Sequence, residues 1–302
     1  MTLERAFHDI ADRGNTEVAF FGGSFTAIPR CDMLELLDSV QPFLGRDGFS
    51  GIRVSTRPDA IDGEILSLLK ERGVTSIELG AQSMDDAVLE RNGRGHTSAD
   101  VRTASELIRQ AGFSLGLQMM TGLWGDTPQG TLRTAEELIA LRPDTVRIYP
   151  TVVLRGTRLA ELYFRNEYEP QSLREATDLC AKLLLRFQEC GIRVIRLGLH
   201  ASEDVEQNRL AGPYHPAFKE LCEGKIYFRR ALECLRREWP DGRFPSETLL
   251  AVNDRAISKM AGQRRENLIA FERFYDVKIR LTGDASVGLY DVKLVKDERG
   301  CC

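Results

Sequence analysis

The segment EVAFFGGSFT, residues 17–26, decides how this chain folds. Its apolar run over Val18–Phe21 predicts a buried β-strand, which stops on Gly22, Gly23 and Ser24. A strand that ends on two glycines and a hydroxyl lets the backbone approach a small polar ligand closely, because glycine has no side chain and adopts conformations that other residues avoid. The segment therefore predicts a strand whose carboxyl end borders a ligand site, with a plain turn as the alternative.

A short apolar run followed by a longer amphipathic stretch recurs over the first two thirds of the chain. Strands are predicted over Val18–Phe21, Gly51–Ser55, Ser76–Gly80, Leu115–Met120, Thr145–Tyr149 and Ile192–Leu199. Helices are predicted over Thr2–Asp12, Asp32–Phe43, Asp62–Arg72, Asp85–Arg91, Ser98–Gln110, Thr127–Leu141 and Ser172–Cys190. This alternation indicates an α/β fold with a parallel sheet. A partial TIM-type barrel is favoured, and an open doubly wound sheet is the alternative.

The alternation stops after residue 200, so three segments are expected. Residues 1–200 form the partial barrel, 201–245 a connection of helix and loop, and 246–302 a small C-terminal α/β domain. In the last segment the pattern predicts a helix over Ile257–Phe274 and strands over Val277–Leu281 and Tyr290–Val295.

Composition and charge limit the classes of function. The formal net charge of −4 gives no global basic footprint for nucleic acid, although a local basic patch remains open. No apolar run is long enough to span a bilayer and no signal peptide is visible, so we expect a cytoplasmic protein without a membrane partner. The seven cysteines form no CxxC or CxxxCxxC motif, and no metal site is predicted. The sequence leaves the oligomeric state open.

Polar or glycine-rich residues follow each of the first five predicted strands. The segments are Gly22–Thr26, Ser55–Asp59, Gly80–Ser83, Thr121–Thr127 and Tyr149–Thr151. In a parallel barrel such segments meet at one end and form one pocket. Taken singly, each could be a turn or a helix cap; Ser98, for example, is expected to cap the helix that starts there. Inert loops would not explain Glu78, Gln118 and Arg147 inside apolar strands, because a buried charge must be paired or functional.

Taken in order, these motifs resemble those of radical S-adenosylmethionine (SAM) enzymes. The resemblance rests on residues 20–26, 55–59, 78–83, 94–97, 116–127, 149–151 and 156–157. Within that family the chain is most similar to the group of the Elongator catalytic subunit and oxygen-independent coproporphyrinogen oxidase. Residues 211–218 and 262–267 resemble the C-terminal extension of an uncharacterised bacterial branch.

The resemblance implies a binding site for S-adenosylmethionine. Its cofactor-binding residues would be Gly22, Gly23, Ser24, Ser55, Thr56, Gln82, Arg94 and Gln118. The glycine turn would receive the amino group of the cofactor, the hydroxyls and amides would lie near the ribose, and Arg94 would pair with the methionine carboxylate. A guanidinium fork suits that last role, although a solvated loop arginine is the alternative.

The resemblance also implies chemistry and partners. A reduced [4Fe–4S] cluster would cleave S-adenosylmethionine to a 5′-deoxyadenosyl radical, and an external electron donor would reduce the cluster. The Elongator-like group suggests an RNA substrate, and modification of transfer RNA (tRNA) is one reaction that would fit it. The stretch from Ile257 to Arg280 faintly resembles a KH module, but Gly262 has no glycine three residues later, and a solvated helix end is an equal alternative.

The cluster's ligands are missing from this sequence. Relatives hold the cluster with a CxxxCxxC loop that follows the first barrel strand, whereas this chain starts in the next helix and offers only Cys31 near the glycine turn. We therefore expect a (β/α)6-type TIM barrel that lacks its first strand. Either the protein lost its cluster or the reading frame starts too late. The second explanation is favoured because loss would leave an unpaired strand edge beside an intact cofactor site.

As written, the chain is expected to be inactive. The alternative is a cluster-free, degenerate barrel that acts as a binding or scaffold protein. One further departure concerns Trp124, since relatives commonly have proline there and the indole would reshape the mouth of the pocket.

Overall fold

The computed structural model describes residues 2–200 and 202–295, in two compact units. The first unit contains the residues up to Pro170 together with Phe187–Leu197, and the second contains Gln171–Arg186 together with the residues from Gly198 onward. Cys301 and Cys302, which belong to the predicted C-terminal domain, lie outside the described residues.

The first unit is built on a parallel sheet. Its strands are β1 (Glu17–Phe20), β2 (Gly51–Thr56), β3 (Val74–Gln82), β4 (Ser114–Thr121), β5 (Thr145–Pro150), β6 (Val153–Leu154) and β7 (Arg193–Leu197). All except the two-residue β6 form one six-stranded sheet in the order β1-β2-β3-β4-β5-β7, and every neighbouring pair is parallel. This half-barrel confirms the predicted fold class and all six predicted strands.

Helices connect these strands, as parallel pairing requires. They are α1 (Thr2–Asp9), α2 (Arg30–Val40), α3 (Gly63–Glu71), α4 (Asp86–Arg91), α5 (Ser98–Gln110), α6 (Pro128–Ala140), α7 (Arg158–Phe164) and α8 (Leu173–Glu189). The strand side chains that carry the core are fully buried and apolar: Ile52, Val54, Ile77, Leu79, Leu115, Leu117, Val146 and Ile148. A parallel sheet covered on both faces needs this near-continuous apolar composition.

The N-cap of α5 differs from the prediction. Thr97, not Ser98, caps α5: its hydroxyl accepts a hydrogen bond from the Asp100 amide, and the Asp100 carboxylate accepts one from the Thr97 amide. This reciprocal capping box requires an acidic residue three positions after the cap, which Asp100 supplies for Thr97. Ser98 is instead the first helical residue, and its amide donates to Asp86 at 2.7 Å.

The second unit contains a small mixed sheet. The strands of this unit are β8 (Arg209–Ala211), β9 (Glu247–Val252), β10 (Lys278–Gly283) and β11 (Lys293–Leu294), of which β9, β10 and β11 form the sheet. The other helices of the unit are α9 (Glu203–Asn208), α10 (Phe218–Glu238), α11 (Ile257–Ala261) and α12 (Glu266–Tyr275). Strand β9 lies in the middle, parallel to β10 and antiparallel to β11. This sheet confirms the expected small α/β extension.

The single helix predicted over Ile257–Phe274 is wrong. Helix α11 ends at Ala261, and the chain then passes through left-handed conformations at Gly262, Arg264 and Arg265, with φ of 77°, 49° and 63°, before α12 begins. A Cβ on Gly262 would lie 2.8 Å from the Glu266 side chain, so this break requires glycine.

A polar cluster holds the amino ends of β1, β2 and β3 together. The Glu17 carboxylate accepts hydrogen bonds from Arg53 at 2.6 and 2.9 Å, from Thr75 at 2.7 Å and from Ser76 at 2.5 Å. Burial alone would raise the pKa of Glu17, but these hydroxyls and the Arg53 guanidinium outweigh it and hold the pKa below its ordinary value. The cluster therefore stabilises the fold when Glu17 is ionised.

We expect Glu17→Gln to lower the free energy of unfolding by about 1–3 kcal/mol, since it weakens charged hydrogen bonds in a partly buried site. Because the folded-state pKa is depressed, the stabilisation is present above the unfolded pKa and is lost as pH falls through the folded pKa. Urea titrations across the acid range should therefore show a smaller acid-dependent loss in the variant than in the wild type. Glu64→Gln, which removes an exposed partner of Arg30, is the control and should change stability little. Equal effects of the two variants would contradict this account.

Candidate functional site

A cavity of about 380 Å³ lies at the carboxyl ends of the neighbouring strands β1 to β4. Seven of the eight predicted site residues line it: Gly23, Ser24, Ser55, Thr56, Gln82, Arg94 and Gln118. Gly22 precedes them in the turn but is not among the lining residues. The lining also includes five residues outside the predicted set: Arg57, Glu78, Gly80, Gly93 and His96.

The glycine turn after β1 depends on backbone conformation. Gly22 and Gly23 have φ of 96° and 83°, in the region that other residues rarely adopt. A Cβ at either position would meet no atom within 4 Å, so space is available and the conformation alone requires glycine. Ser24 makes no side-chain capping bond to the turn that follows. Its hydroxyl is therefore not engaged in capping.

The two hydroxyls at the end of β2 differ in their surroundings. Thr56 Oγ1 lies 2.6 Å from Thr26 Oγ1, which donates onward to the carbonyl of Ala60 at 2.6 Å. This chain of hydrogen bonds joins β2 to the segment after the glycine turn, so Thr56 has a structural role. Ser55 Oγ is buried and has no hydrogen-bond partner among the described residues. Since an unpaired buried hydroxyl is costly, Ser55 is the better ligand group of the two.

A strained residue ends β3. Gln82 has φ of 64°, unusual for a residue with a side chain, and its Oε1 accepts a hydrogen bond of 3.0 Å from Gln118 Nε2 on β4. A Cβ on Gly80 would lie 2.6 Å from Gln82 Nε2, so glycine at position 80 makes room for this amide. Strained backbone of this kind is concentrated at functional sites.

Arg94 carries a charge that no carboxylate neutralises within the described chain. Its guanidinium donates to Met120 Sδ at 3.2 Å, and thioether sulfur is only a weak acceptor. Burial lowers the pKa of Arg94 from its ordinary value. A half-buried cation with such poor partners favours the binding of an anionic group beside it.

The other charges of the cavity are paired. Arg147 on β5 donates from Nε to Glu78 Oε2 at 2.6 Å, and its guanidinium carbon lies 4.9 Å from the centre of the Phe21 ring. Burial would lower the pKa of Arg147, but the Glu78 carboxylate, together with Tyr149, more than compensates and raises it. Arg57 forms two hydrogen bonds to Asp59. The buried charges inside the strands therefore have a structural explanation, whereas Arg94 does not.

His96 lines the cavity although it was not among the predicted site residues. Its Nε2 lies 3.2 Å from the carbonyl oxygen of Ala81, and its buried Nδ1 has no partner among the described residues. The only signal in the sequence was its place in residues 94–97, beside Arg94.

The described residues offer no ligand set for an iron–sulfur cluster. They contain no group of three histidine, cysteine or acidic side chains that could hold a metal ion. The cysteines of the first unit are Cys31 and Cys190, both exposed, whereas a cluster needs three or four thiolates around one site. The chemistry of the described side chains thus fits a small polar organic ligand and does not fit a cluster.

Two family profiles match the sequence in succession. The Radical SAM superfamily matches residues 2–138, and the Radical SAM C-terminal domain matches residues 143–227. The chain belongs to the radical SAM superfamily. The cavity lies within the first of these two regions.

The curated relatives of this radical SAM chain include one protein named for an activity on tRNA and one named for the Elongator complex. The tRNA uridine(34) acetyltransferase of Methanocaldococcus jannaschii is 32% identical over 129 residues, which cover 42% of this chain and 24% of the relative. Elongator complex protein 3 of Danio rerio is 37% identical over 141 residues, which cover 44% of this chain and 25% of the relative. The matched part thus spans about a quarter of these relatives.

The fold is also found in a solved structure. The archaeal Elp3 of Methanocaldococcus infernus, with an N-terminal deletion, superimposes with a TM-score of 0.65 at 21% identity and covers 75% of this chain and 57% of that one. At this identity the likeness shows the fold alone. In the part of the chain that the structure describes, no helix has both the length and the apolar composition to cross a membrane.

The contribution of the Glu78–Arg147 ion pair can be tested through the free energy of unfolding of two variants. Arg147→Met leaves the Glu78 carboxylate, which is 3% exposed, without its partner and should lower the free energy of unfolding by about 3–5 kcal/mol. The double variant Glu78→Leu/Arg147→Met removes both charges and should recover much of that loss, because well-packed apolar residues often replace a buried pair at little cost. Urea unfolding of both proteins measures the difference. A double variant no more stable than the single one would show that the pair does not act in this way.

Proposed function

We propose that this chain binds S-adenosylmethionine in the cavity at the ends of β1 to β4 and serves in the modification of RNA. The observation that carries the cofactor assignment is Arg94, a half-buried guanidinium beside a glycine turn and the buried hydroxyl of Ser55. Among the described residues the guanidinium has no carboxylate partner and the hydroxyl has no hydrogen-bond partner. S-adenosylmethionine carries a carboxylate, an amino group and ribose hydroxyls, which these groups complement.

Each polar group of the cofactor is assigned to its own set of residues. Arg94 binds the carboxylate, because a guanidinium forms strong charged hydrogen bonds with that group. The backbone at Gly22 and Gly23, with Ser24, receives the amino group. Ser55 and the amides of Gln82 and Gln118 bind the ribose, and the link from Gln118 to Gln82 orients both amides.

The superfamily supports the chemistry proposed for the bound cofactor. The bound S-adenosylmethionine would supply a 5′-deoxyadenosyl radical, and this would require an electron from an iron–sulfur cluster that an external donor keeps reduced. None of the described residues is assigned to that step, since they hold no set of thiolates. Their part is to bind and orient the cofactor and to exclude water from it.

The RNA assignment rests on the relatives. One is named a tRNA uridine(34) acetyltransferase and another Elongator complex protein 3, and both are matched over less than half of this chain. We therefore propose tRNA as the substrate class and not the acetyl transfer named for the relative.

A second candidate is a cluster-free barrel that binds its ligand without chemistry, as a binding or scaffold protein. The observation in its favour is that the described cysteines of the first unit, Cys31 and Cys190, are two in number and exposed.

Cofactor binding can be measured by isothermal titration calorimetry with S-adenosylmethionine. Arg94→Gln should weaken binding about tenfold or more, since it removes a charge-assisted hydrogen bond worth roughly 1.5–3 kcal/mol. Arg165→Gln, which alters an exposed arginine of the same unit outside the cavity, is the matched control and should leave the Kd unchanged. No binding by the wild type, or equal binding by wild type and Arg94→Gln, would refute the proposed site.

Cluster assembly tests whether these 302 residues can hold a cluster by themselves. After anaerobic reconstitution with iron and sulfide, we expect these 302 residues to retain no [4Fe–4S] cluster, because the described thiols do not converge. The iron-to-protein ratio and the visible absorption of the sample report the result. A brown protein with about four irons per chain would overturn the expectation.

A further inference from the structure

A second cavity, of about 240 Å³, adjoins the first at Arg94, which lines both. Its walls come from the end of α4, the loop after β4, the residues after β5 and the helix α7. It lies wholly in the first unit. Its size is below the roughly 300–1,000 Å³ of clefts that take drug-sized molecules, so it suits one small unit of a larger ligand.

The charge of this second cavity is positive and uncompensated. Arg91, Arg94 and Arg158 line it, and no acidic residue does. None of the three forms an ion pair with a carboxylate of the described residues; Arg94 contacts Met120 Sδ, and Arg158 lies 5.8 Å from the centre of the Trp124 ring. Three such arginines around one cavity favour an anionic ligand, and guanidinium groups match phosphate especially well.

One wall of the second cavity is a fixed aromatic ring. The Asn92 side chain accepts a hydrogen bond from the Trp124 amide at 3.3 Å and donates one to the Trp124 carbonyl at 2.9 Å. The indole Nε1 donates to the carbonyl of Glu167 at 3.2 Å. Nearby, Tyr168 donates to the carbonyl of Gly122 at 2.7 Å, and burial raises the pKa of this tyrosine to about 12, so it remains a donor at neutral pH. The ring is thus held in place before any ligand arrives.

The second cavity also contains a polar group without a partner. Thr151 is 5% exposed, and its hydroxyl forms no hydrogen bond among the described residues. A buried hydroxyl left unpaired costs about 1–3 kcal/mol, which a ligand with a polar edge would recover. This observation is independent of the charges and points to the same cavity.

We propose that the second cavity holds one nucleotide of the RNA substrate, with its base against Trp124, its phosphate at Arg91 and Arg158, and a polar edge of the base or sugar at Thr151. The inference rests on the proposed function and identifies the cavity in which the substrate would bind. Enzymes that act on a base take it out of the stack into a pocket with aromatic and apolar walls, and the phosphates supply the anion that the arginines require. Arg94, common to both cavities, would place this nucleotide next to the cofactor.

The fluorescence of Trp124 provides the test. The chain has two tryptophans, so Trp239→Phe leaves Trp124 as the single reporter. Titration of this protein with uridine 5′-monophosphate should quench the fluorescence, because the base stacks on the indole. Uridine lacks the phosphate and inorganic phosphate lacks the base, so each should bind at least tenfold more weakly than the nucleotide.

Variants in the same single-tryptophan background locate the site. Arg91→Gln and Arg158→Gln should each weaken nucleotide binding about tenfold, and Thr151→Val several-fold, while leaving the Kd for S-adenosylmethionine unchanged. Arg155→Gln is the matched control, since Arg155 is exposed and close in sequence but does not line the cavity. Urea unfolding verifies that each variant is folded.

Three results would overturn the proposal. The first is the absence of quenching while calorimetry still shows binding of S-adenosylmethionine, which leaves the proposed function intact. The second is quenching by S-adenosylmethionine that competes with the nucleotide, which would assign the second cavity to the cofactor. The third is equal binding of inorganic phosphate and nucleotide, which would show an anion site without recognition of a base.

Discussion

The parallel pairing of β1 to β5 and β7 is the constraint on which the rest of the first unit depends. Each parallel strand must be followed by a connection that returns the chain to the same end of the sheet, so all carboxyl ends lie at one edge. The polar segments after the strands meet there for that reason. The register of Gln118 with Arg147, and of Ser55 with Glu78, places side chains from distant parts of the sequence at one level of the sheet.

Charge balance then distinguishes structure from function at that edge. Glu78 and Arg147 neutralise each other, and so do Arg57 and Asp59. Arg94 is half-buried, and its only acceptor among the described residues is a thioether, which costs stability unless a ligand supplies an anion. The same reasoning applies to the hydroxyls of Ser55 and Thr151, which lie beside cavities and find no partner in the described part of the chain, whereas Thr56 has partners. The unsatisfied groups are therefore the ones on which the proposed ligand sites rest.

The sequence predicted the strands of the sheet well because each is a short apolar run between polar segments, and the half-barrel follows from their alternation with helices. It predicted less well where two local signals compete. Thr97 and Ser98 are both good caps, and Asp100 decides between them; Gly262 and the two arginines after it break a helix whose apolar spacing continues across them. Strand β9 was not predicted, although Leu249–Val252 form an apolar run as long as that of Val18–Phe21.

The candidate site shows the same limit. The spacing of motifs identified seven residues that line the first cavity, but it could not tell Ser55 from Thr56, since their difference lies in a hydrogen bond to Thr26 from another segment. The left-handed backbone of Gln82 depends on tertiary context, and so does the partnerless state of His96 Nδ1.

The Glu17 cluster and the first cavity lie at opposite ends of the same strands. Glu17 begins β1 and Ser76 is near the start of β3, whereas the glycine turn and Gln82 stand where those two strands finish. Substitutions in the Glu17 cluster can change the stability of the sheet without changing the binding of a ligand at the carboxyl ends of the strands, since distant sites with no shared partners act almost additively. Substitutions at the carboxyl ends of the strands can therefore change ligand specificity during evolution, while the Glu17 cluster at the amino ends offsets the stability that they cost.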